Sequence, residues 1–238
     1  MPTADSFAAA WALVASALGE HAVNPPPPPT PALWREVAAG RVGRVTSGTR
    51  GVTGFGYLAE PRERVWLSLT DDHLDDDVQG LDDVILDGGW ASPKLLYQRL
   101  DLPWPVTDRH WVLRTANNAA LARAAGVWER SWALDDTRLG EARARTDAAA
   151  FDAAITMRTN HGSWILLAHE GGTLAVYEAW ADLGGNVPAE AADAYSRSSL
   201  DGVFRGVAAH VADVVARYGP GCNPQPGADG APIACFGG

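Results

Sequence analysis

The chain has 238 residues, of which 47% are hydrophobic and 20% charged, and its formal net charge is −10 at pH 7. This length is enough to bury a sizeable core in one domain with extensions. The negative balance argues against a nucleic-acid partner and against permanent docking on an anionic membrane, while a local basic face would still allow transient membrane contact.

The first 24 residues predict an N-terminal helix. Their central run, Phe7–Leu18, is apolar but shorter than the roughly 18–20 residues that a membrane-spanning helix needs. Asp5 precedes this run at a place where an export signal carries basic residues. We therefore favour a helix and a cytoplasmic location. The alternative is an atypical export signal and an exported or periplasmic protein.

A proline-rich segment follows the predicted helix. Asn24–Pro31 reads NPPPPPTP, which is typical of a stiff polyproline II spacer, so residues 25–32 are interpreted as a linker. A PxxP ligand for another domain is the less favoured interpretation. The main domain then extends over residues 33–218, and residues 219–238 form a tail rich in glycine and proline.

The first part of the main domain combines strands, a short helix and an acidic run. Arg41–Ser47 and Gly51–Glu60 predict two strands, and Pro61 opens a short amphipathic helix. Residues 71–83 contain seven aspartates. They resemble a calcium-binding loop only loosely, because Asp76 stands where a glycine is required and no glutamate closes the loop. A solvated loop is favoured, and no metal site is predicted.

The stretch Lys94–Arg114 shows the clearest pattern in the chain. Its first half alternates with period 2, which predicts a strand. Pro103 and Pro105 then interrupt the backbone hydrogen bonding, and a second strand-like run, HWVLR, follows Asp108 and Arg109. We expect an ion pair between Asp108 and Arg109 to order this corner.

The next segments alternate helix and strand. Asn117–Gly126 predicts a short helix or a wide loop, Val127–Leu134 a strand, and residues 138–150 a loop with helical content. A closing antiparallel meander is then expected, with turns at Asn160-His161-Gly162 and Gly171-Gly172. Its strands are Ala154–Thr159, Ser163–Ala168 and Thr173–Ala181.

A long helix is predicted from Pro188 to Tyr218. Apolar residues recur there at steps of three or four, which places them on one face. The turn before this helix reads ADLGGNVP, in which Asp182, Gly184 and Gly185 precede Val187 and Pro188.

Three features together resemble the bacterial START-type (lipid-transfer) branch of the SRPBCC superfamily. They are the two strands around the proline corner, the segment His161–Trp164, and the turn from Asp182 to Pro188. The resemblance covers about residues 33–218. It implies an α+β helix-grip fold, in which a curved antiparallel sheet wraps around a long C-terminal helix and encloses an apolar cavity.

The resemblance also implies a set of ligand-binding residues. If its register holds, strand parity places one group on the concave face, with Arg99 and Arg114 outside. Relatives carry an acid–base pair at the positions of Leu96 and Thr115, which are uncharged here and favour a more apolar ligand. The residues expected to line or close the cavity are Leu96, Gln98, Trp111, Leu113, Thr115, His161, Trp164, Tyr177, Leu200, Val203 and Val207. Ordinary core packing is the alternative for the aromatic residues, and a plain turn for His161.

The favoured function is binding, with transfer as an extension, of a hydrophobic small molecule or lipid, without catalytic residues or a cofactor. One alternative is a polyketide cyclase or aromatase that holds its substrate near His161 and an acid. Another is a regulatory interaction module that recruits partners through the proline segment and the tail.

The two cysteines, Cys222 and Cys235, both lie in the C-terminal tail. Their spacing would allow a disulfide in an exported protein. Because a cytoplasmic location is favoured, we expect two free thiols on a tail outside the core.

Overall fold

The computed structural model describes residues 1–21, 26, 28–47, 51–71, 81–89, 93–102, 105–184 and 189–237, with the backbone alone at 20, 21, 47, 81 and 189–199. Its helices are α1 (Ala4–His21), α2 (Pro31–Ala38), α3 (Arg62–Thr70), α4 (Ala119–Ala125), α5 (Leu139–Arg145), α6 (Ala148–Ala153) and α7 (Ala189–Arg217). Its strands are β1 (Gly43–Ser47), β2 (Gly51–Leu58), β3 (Leu81–Asp87), β4 (Lys94–Leu100), β5 (Arg109–Asn117), β6 (Trp128–Leu134), β7 (Ile155–Thr156), β8 (Thr159–His169) and β9 (Gly172–Asp182).

Local sequence explains where several short helices begin and end. Thr30 caps α2, since its hydroxyl accepts a hydrogen bond from the Leu33 amide at 3.3 Å, and Pro31 occupies the first turn. Asn118 caps α4 in the same way through the Leu121 amide at 3.0 Å. Gly126 then ends α4 with φ at 66°, a conformation that glycine adopts without strain.

The described strands form one sheet in the order β1-β2-β9-β8-β6-β5-β4-β3, and β7 pairs in parallel with the start of β5. All the other pairings are antiparallel. We call the face toward α7 the inner face and the opposite face the outer face. An antiparallel sheet combined with a long C-terminal helix is the predicted α+β arrangement.

Helix α7 lies close to the inner face because β2 carries glycines beneath it. A Cβ atom built at Gly54 would lie 2.7 Å from Leu200 Cδ1, and one at Gly56 would lie 2.6 Å from Phe204 Cε1. Phe204 also packs edge-on against Trp164, with ring centroids 5.2 Å apart. The middle of α7 is therefore held directly on strands β2 and β8.

The N-terminal helix is part of the same body, which corrects the expectation that a spacer separates it from the domain. Phe7, Val14 and Leu18 of α1 are buried on the outer face of the sheet. Trp11 packs edge-on against Phe55 of β2, with centroids 5.1 Å apart. The apolar stripe of α1 supplies enough burial to bring it back onto the sheet. Within the proline segment, residues 22–25 and 27 lie outside the described residues, and Pro26 is buried.

The predicted meander is wrong at its first turn. Strand β8 runs without interruption from Thr159 to His169, so residues 160–162 are strand and not a turn. Gly162 is required there for a different reason. A Cβ atom on it would lie 2.0 Å from the carbonyl oxygen of Glu178 and 2.5 Å from Cζ2 of Trp132.

The C-terminal tail is packed, which contradicts the expectation that it lies outside the core. Ala228 and Ile233 are buried, and the Trp66 indole donates a hydrogen bond to the carbonyl of Pro226 at 3.2 Å. Gly227 allows this approach, because a Cβ there would lie 2.7 Å from Cη2 of Trp128. The composition of the tail suggested too little apolar surface, but backbone hydrogen bonds and two indoles hold it in place.

A disulfide joins Cys222 and Cys235, with an S–S distance of 1.95 Å, so the prediction of two free thiols is wrong. The turns of the tail bring the two Cα atoms to 5.8 Å, within the range that a disulfide spans.

Among the described helices, none has both the length and the hydropathy required to cross a bilayer.

Candidate functional site

The site is built on the inner faces of β4 and β5. The two strands pair so that Leu96 faces Leu113 and Gln98 faces Trp111, and Thr115 faces Lys94. Cross-strand partners in an antiparallel pair lie on the same face. The five residues predicted to share a face therefore do so, with Arg99 and Arg114 on the outer face. Their role in ligand binding stays a prediction.

A polar contact and an apolar cluster occupy the end of this surface next to the proline corner. The Trp111 indole donates a hydrogen bond to Gln98 Oε1 at 3.0 Å. Trp111 and Leu113 pack with Leu100 of β4 and Met157, which follows β7, and all four are buried. Residues 103–104 of the corner lie outside the described residues.

Three aromatic rings continue the surface across β6, β8 and β9. Trp132 and Tyr177 are stacked with centroids 5.5 Å apart, and Trp164 lies 4.9 Å from Tyr177. The Trp132 indole donates to Asn160 Oδ1 at 3.0 Å, which fixes its orientation. The space left by Gly162 allows Trp132 to lie flat against the neighbouring strand.

The opposite wall comes from α7. Leu200 is buried against Gly54 of β2, and Val207 is buried and Val203 partly buried in the same hydrophobic cluster. Phe204 lies among them and contacts Trp164, although sequence reasoning did not select it. The side chains of residues 189–199, on the half of α7 nearer its start, lie outside the description.

Comparisons with known proteins show which fold this arrangement has. No family model matches the sequence, and no curated protein matches it. Among solved structures, a STAR-related lipid transfer protein from Xanthomonas axonopodis matches with a TM-score of 0.56 and 17% identity, over 71% of this chain and 90% of that chain. Human StAR-related lipid transfer protein 5 matches with a TM-score of 0.53 and 13% identity, over 87% of this chain and 98% of that chain. The chain has the START-type helix-grip fold.

The pairing of β8 with β9 places His161 on the outer face, so its prediction as a cavity residue is wrong. His161 pairs with Trp180 across β8 and β9, and their rings stack with centroids 6.1 Å apart. Trp164 is three residues further along the same strand. Residues an odd number apart on a continuous strand point to opposite faces, so His161 and Trp164 cannot share one. The turn predicted at residues 160–162 would have placed His161 outside the strand of Trp164, so strand parity did not exclude it at that point.

Two buried cationic residues on the inner face were not predicted from the sequence as part of the site. Arg130 of β6 is 6% exposed and Lys94 of β4 is 4% exposed, and both lie on the inner face. The alternation of Val127–Leu134 could have identified Arg130, because it places Trp128, Arg130 and Trp132 on one face. The preference for a more apolar ligand, drawn from the uncharged Leu96 and Thr115, stays a prediction.

Arg109 secures the connection between the sheet and α7 in this START fold. Its guanidinium donates to the carbonyls of Leu183 at 2.5 Å and Gly184 at 3.0 Å, and also to that of Thr107. Burial lowers the pKa of Arg109, and the nearby charge of Asp108 acts in the opposite direction.

The expected Asp108–Arg109 ion pair is replaced by other contacts. The carboxylate of Asp108 lies 3.6 Å from Arg99 and accepts a hydrogen bond from the Leu102 amide at 3.2 Å. Arg109 instead turns toward the carbonyls of Leu183 and Gly184, which its long side chain reaches across the end of the sheet. Gly184 adopts a φ of 64°, as a glycine at this crossing permits, whereas residues 185–188 lie outside the described residues.

The acidic run contributes no metal site to the described part of the chain. Residues 72–80 are not described, and among the described residues no group of three or more His, Cys, Asp or Glu side chains is arranged to hold a metal ion. Asp71, at the start of the run, is buried and accepts a hydrogen bond from the Tyr218 hydroxyl at 2.8 Å. Asp71 thus connects the end of α3 to the end of α7.

Proposed function

We propose that the chain binds a hydrophobic small molecule of the lipid class between α7 and the inner face of the sheet, without transforming it. The START fold supports this proposal, since the two solved structures described above carry lipid transfer in their names. Transfer between membranes is an extension of the same proposal. It requires reversible opening of the space between α7 and the sheet.

The composition of the inner face carries the proposal. Large apolar side chains, including Trp111, Leu113 and Trp132, alternate there with the polar groups of Gln98 and Thr115. A mostly apolar surface with a few convergent polar groups is typical of small-molecule sites. A sheet face used only for core packing gains nothing from buried polar groups, because each must be compensated by a hydrogen bond.

Burial of apolar ligand surface would provide the binding free energy. Each Å² removed from water contributes about 25 cal/mol, so a fatty chain gains several kcal/mol before the cost of ordering is subtracted. Helices already cover much of the outer face among the described residues. Helices α1, α2 and α4 cover one part of it, and α5 and α6 cover another.

The cyclase alternative depended on His161 acting beside an acid. His161 lies on the outer face, stacked on Trp180 and on the opposite side of the sheet from Trp132 and Trp164. This geometry favours binding over acid–base chemistry.

Native mass spectrometry of the purified protein tests the proposal directly. We expect a co-purifying apolar molecule, or uptake of an added fatty-acid or sterol probe with quenching of tryptophan fluorescence. Leu113→Trp should weaken uptake while the fold persists, because overpacking at this buried site costs about 1–3 kcal/mol. Leu13→Trp is the matched control, since Leu13 is 72% exposed on α1. Folded wild-type protein that takes up none of these probes would refute the proposal.

A further inference from the structure

The disulfide between Cys222 and Cys235 closes a loop in the C-terminal tail, and we call residues 222–235 the strap. All of the strap is described, and apart from one bridge between Pro226 and Pro232 it forms no helix or strand. A segment without regular structure has many alternative conformations. The covalent bond between its two ends therefore limits strongly which of them it can adopt.

The strap covers two tryptophans at one end of the inner face. Trp128 of β6 lies against Gly227, where a Cβ atom would come within 2.7 Å of its Cη2. Trp66 of α3 packs edge-on against Trp128, with ring centroids 5.3 Å apart, and its indole donates to the Pro226 carbonyl at 3.2 Å. The two tryptophans are 0% and 4% exposed, Trp66 first. Moving the strap away would uncover both.

The covered tryptophans are continuous with the proposed ligand site. Trp128 faces Leu166 of β8, which is two residues beyond Trp164 and on the same face of the strand. A single hydrophobic cluster connects the strap with the inner face and with α7. Its buried members include Trp66, Trp128, Trp164, Leu200, Phe204, Ala228 and Ile233. An opening at the strap would therefore expose an apolar path toward the space between α7 and the sheet.

The bond that closes the strap is accessible, whereas the contacts that it secures are buried. Cys222 and Cys235 are both only partly buried, so a reductant in solution can approach the sulfur atoms. Ala228 and Ile233 are the apolar side chains that the strap buries. Ordering the strap costs conformational entropy at every residue, and burial of two side chains offsets part of this cost. Breaking the bond increases the entropy of the open strap and so favours opening.

We propose that the disulfide is a redox-controlled fastening: the oxidised strap closes the α3 end of the proposed ligand site, and reduction by a dithiol opens it. A thiolate of the reductant forms a mixed disulfide with one cysteine and displaces the other, and its second thiol then displaces the first. Two electrons and two protons pass to Cys222 and Cys235, which become thiols, while the dithiol becomes a disulfide. This inference rests on the proposed function and deepens it by naming how access to the site is regulated.

Opening of the strap is measured first without any ligand. Hydrogen exchange read by mass spectrometry compares oxidised protein, dithiothreitol-reduced protein and the double variant Cys222→Ser and Cys235→Ser. The chain has two cysteines, so the reductant acts on this bond alone. We expect the strap amides to exchange at least about tenfold faster in the two open forms. Acrylamide should quench more of the tryptophan fluorescence, because Trp66 and Trp128 become accessible, while the far-UV circular dichroism stays unchanged.

Stopped-flow fluorescence with dansyl-undecanoic acid, a fatty-acid probe, then measures access to the site. We expect reduction and the double serine variant to raise the association rate about tenfold, since binding to oxidised protein must wait for rare opening of the strap. Gly227→Val keeps the disulfide but places a branched side chain against Trp128, so it should raise the rate without reductant. Ala231→Val is the matched control, because Ala231 is exposed on the same strap, and it should leave the rate unchanged.

The outcomes are distinct. Strap amides that stay equally protected after complete reduction would overturn the inference. Faster strap exchange with an unchanged association rate would also overturn it, because the strap would then not control access. A probe that binds neither oxidised nor reduced protein would refute the proposed function instead, and hydrogen exchange would still decide whether reduction opens the strap.

Discussion

Glu129 and Glu178 are both buried on the outer face of the sheet, on β6 and β9, at 4% and 2% exposure. Asn118 donates a hydrogen bond to Glu129 at 2.7 Å, and the Trp180 indole donates to Oε1 of Glu178 at 3.2 Å. The other oxygen of Glu178, Oε2, is buried without a hydrogen-bond partner. Burial raises the pKa of Glu178, the Trp180 hydrogen bond lowers it, and the charge of Glu129 raises it further. Burial likewise raises the pKa of Glu129, against the Asn118 hydrogen bond.

These carboxyl groups should make stability depend on pH. Because the pKa of Glu178 is higher in the folded protein than its ordinary value of 4.5, protonation favours folding. The stabilisation is fully present below that ordinary value and is lost as the pH rises through the raised folded pKa. We expect Glu178→Gln to raise the melting temperature at about pH 8 by a few degrees, since 1 kcal/mol corresponds to about 2–4 °C in a chain of this size.

Thermal melts of the wild type and Glu178→Gln across this pH range measure the effect. The difference between them should disappear toward about pH 4, where the wild-type carboxyl is protonated. Asp213→Asn, at an exposed position of α7, is the control and should not change the pH dependence. Parallel pH curves for the wild type and Glu178→Gln would contradict the prediction.

The disulfide should stabilise the protein. Closing a loop of this length removes about 3 kcal/mol of unfolded-state entropy, so reduction or the double change Cys222→Ser and Cys235→Ser should lower the free energy of unfolding by about 2–3 kcal/mol. Deleting residues 221–238 should cost more, because it also uncovers Trp66 and Trp128. Chemical denaturation with and without reductant measures the first effect. Two titratable thiols in native, unreduced protein would show that the bond is not formed.

Gly162→Ala should destabilise the sheet beside the candidate site. The new Cβ would lie 2.0 Å from the carbonyl of Glu178 and 2.5 Å from the Trp132 ring, so both β8–β9 pairing and the indole must move. We expect a loss of about 3 kcal/mol and weaker probe binding. Gly202→Ala on α7 is the matched control, since nothing lies within 4 Å of its Cβ, and it should gain about 0.5–1 kcal/mol. Equal melting temperatures for the two variants would argue against this packing.

Arg109→Lys should loosen the connection into α7. A lysine keeps the positive charge but lacks the fork that reaches the carbonyls of Thr107, Leu183 and Gly184. Each buried carbonyl left without a donor costs about 1–3 kcal/mol. We expect a lower free energy of unfolding and faster exchange of bound probe, measured by stopped-flow fluorescence. Arg114→Lys should change neither quantity. Unchanged exchange in Arg109→Lys would show that Arg109 does not control the connection between the sheet and α7.

Much of the fold follows from local pattern. The alternation after Lys94, the proline corner and the spacing of apolar residues along α7 each act within a few residues, so the sequence alone predicts two paired strands and a long helix packed on them. The shared face of Leu96, Gln98 and Trp111 follows from parity as soon as the strands pair.

Other features depend on contacts between distant residues. The burial of the tail rests on Trp66 meeting Pro226, and the position of α1 rests on Trp11 meeting Phe55, neither of which leaves a local signal. The face of His161 was decided by the pairing of β8 with β9, because Asn-His-Gly is compatible with either a turn or a strand until a partner supplies the hydrogen bonds. Arg130 likewise became part of the site only when β5 and β8 were placed on either side of it. Strand register and helix docking lower the free energy of the folded chain through burial and pairing between distant segments. A local sequence pattern does not specify which distant segments will pair.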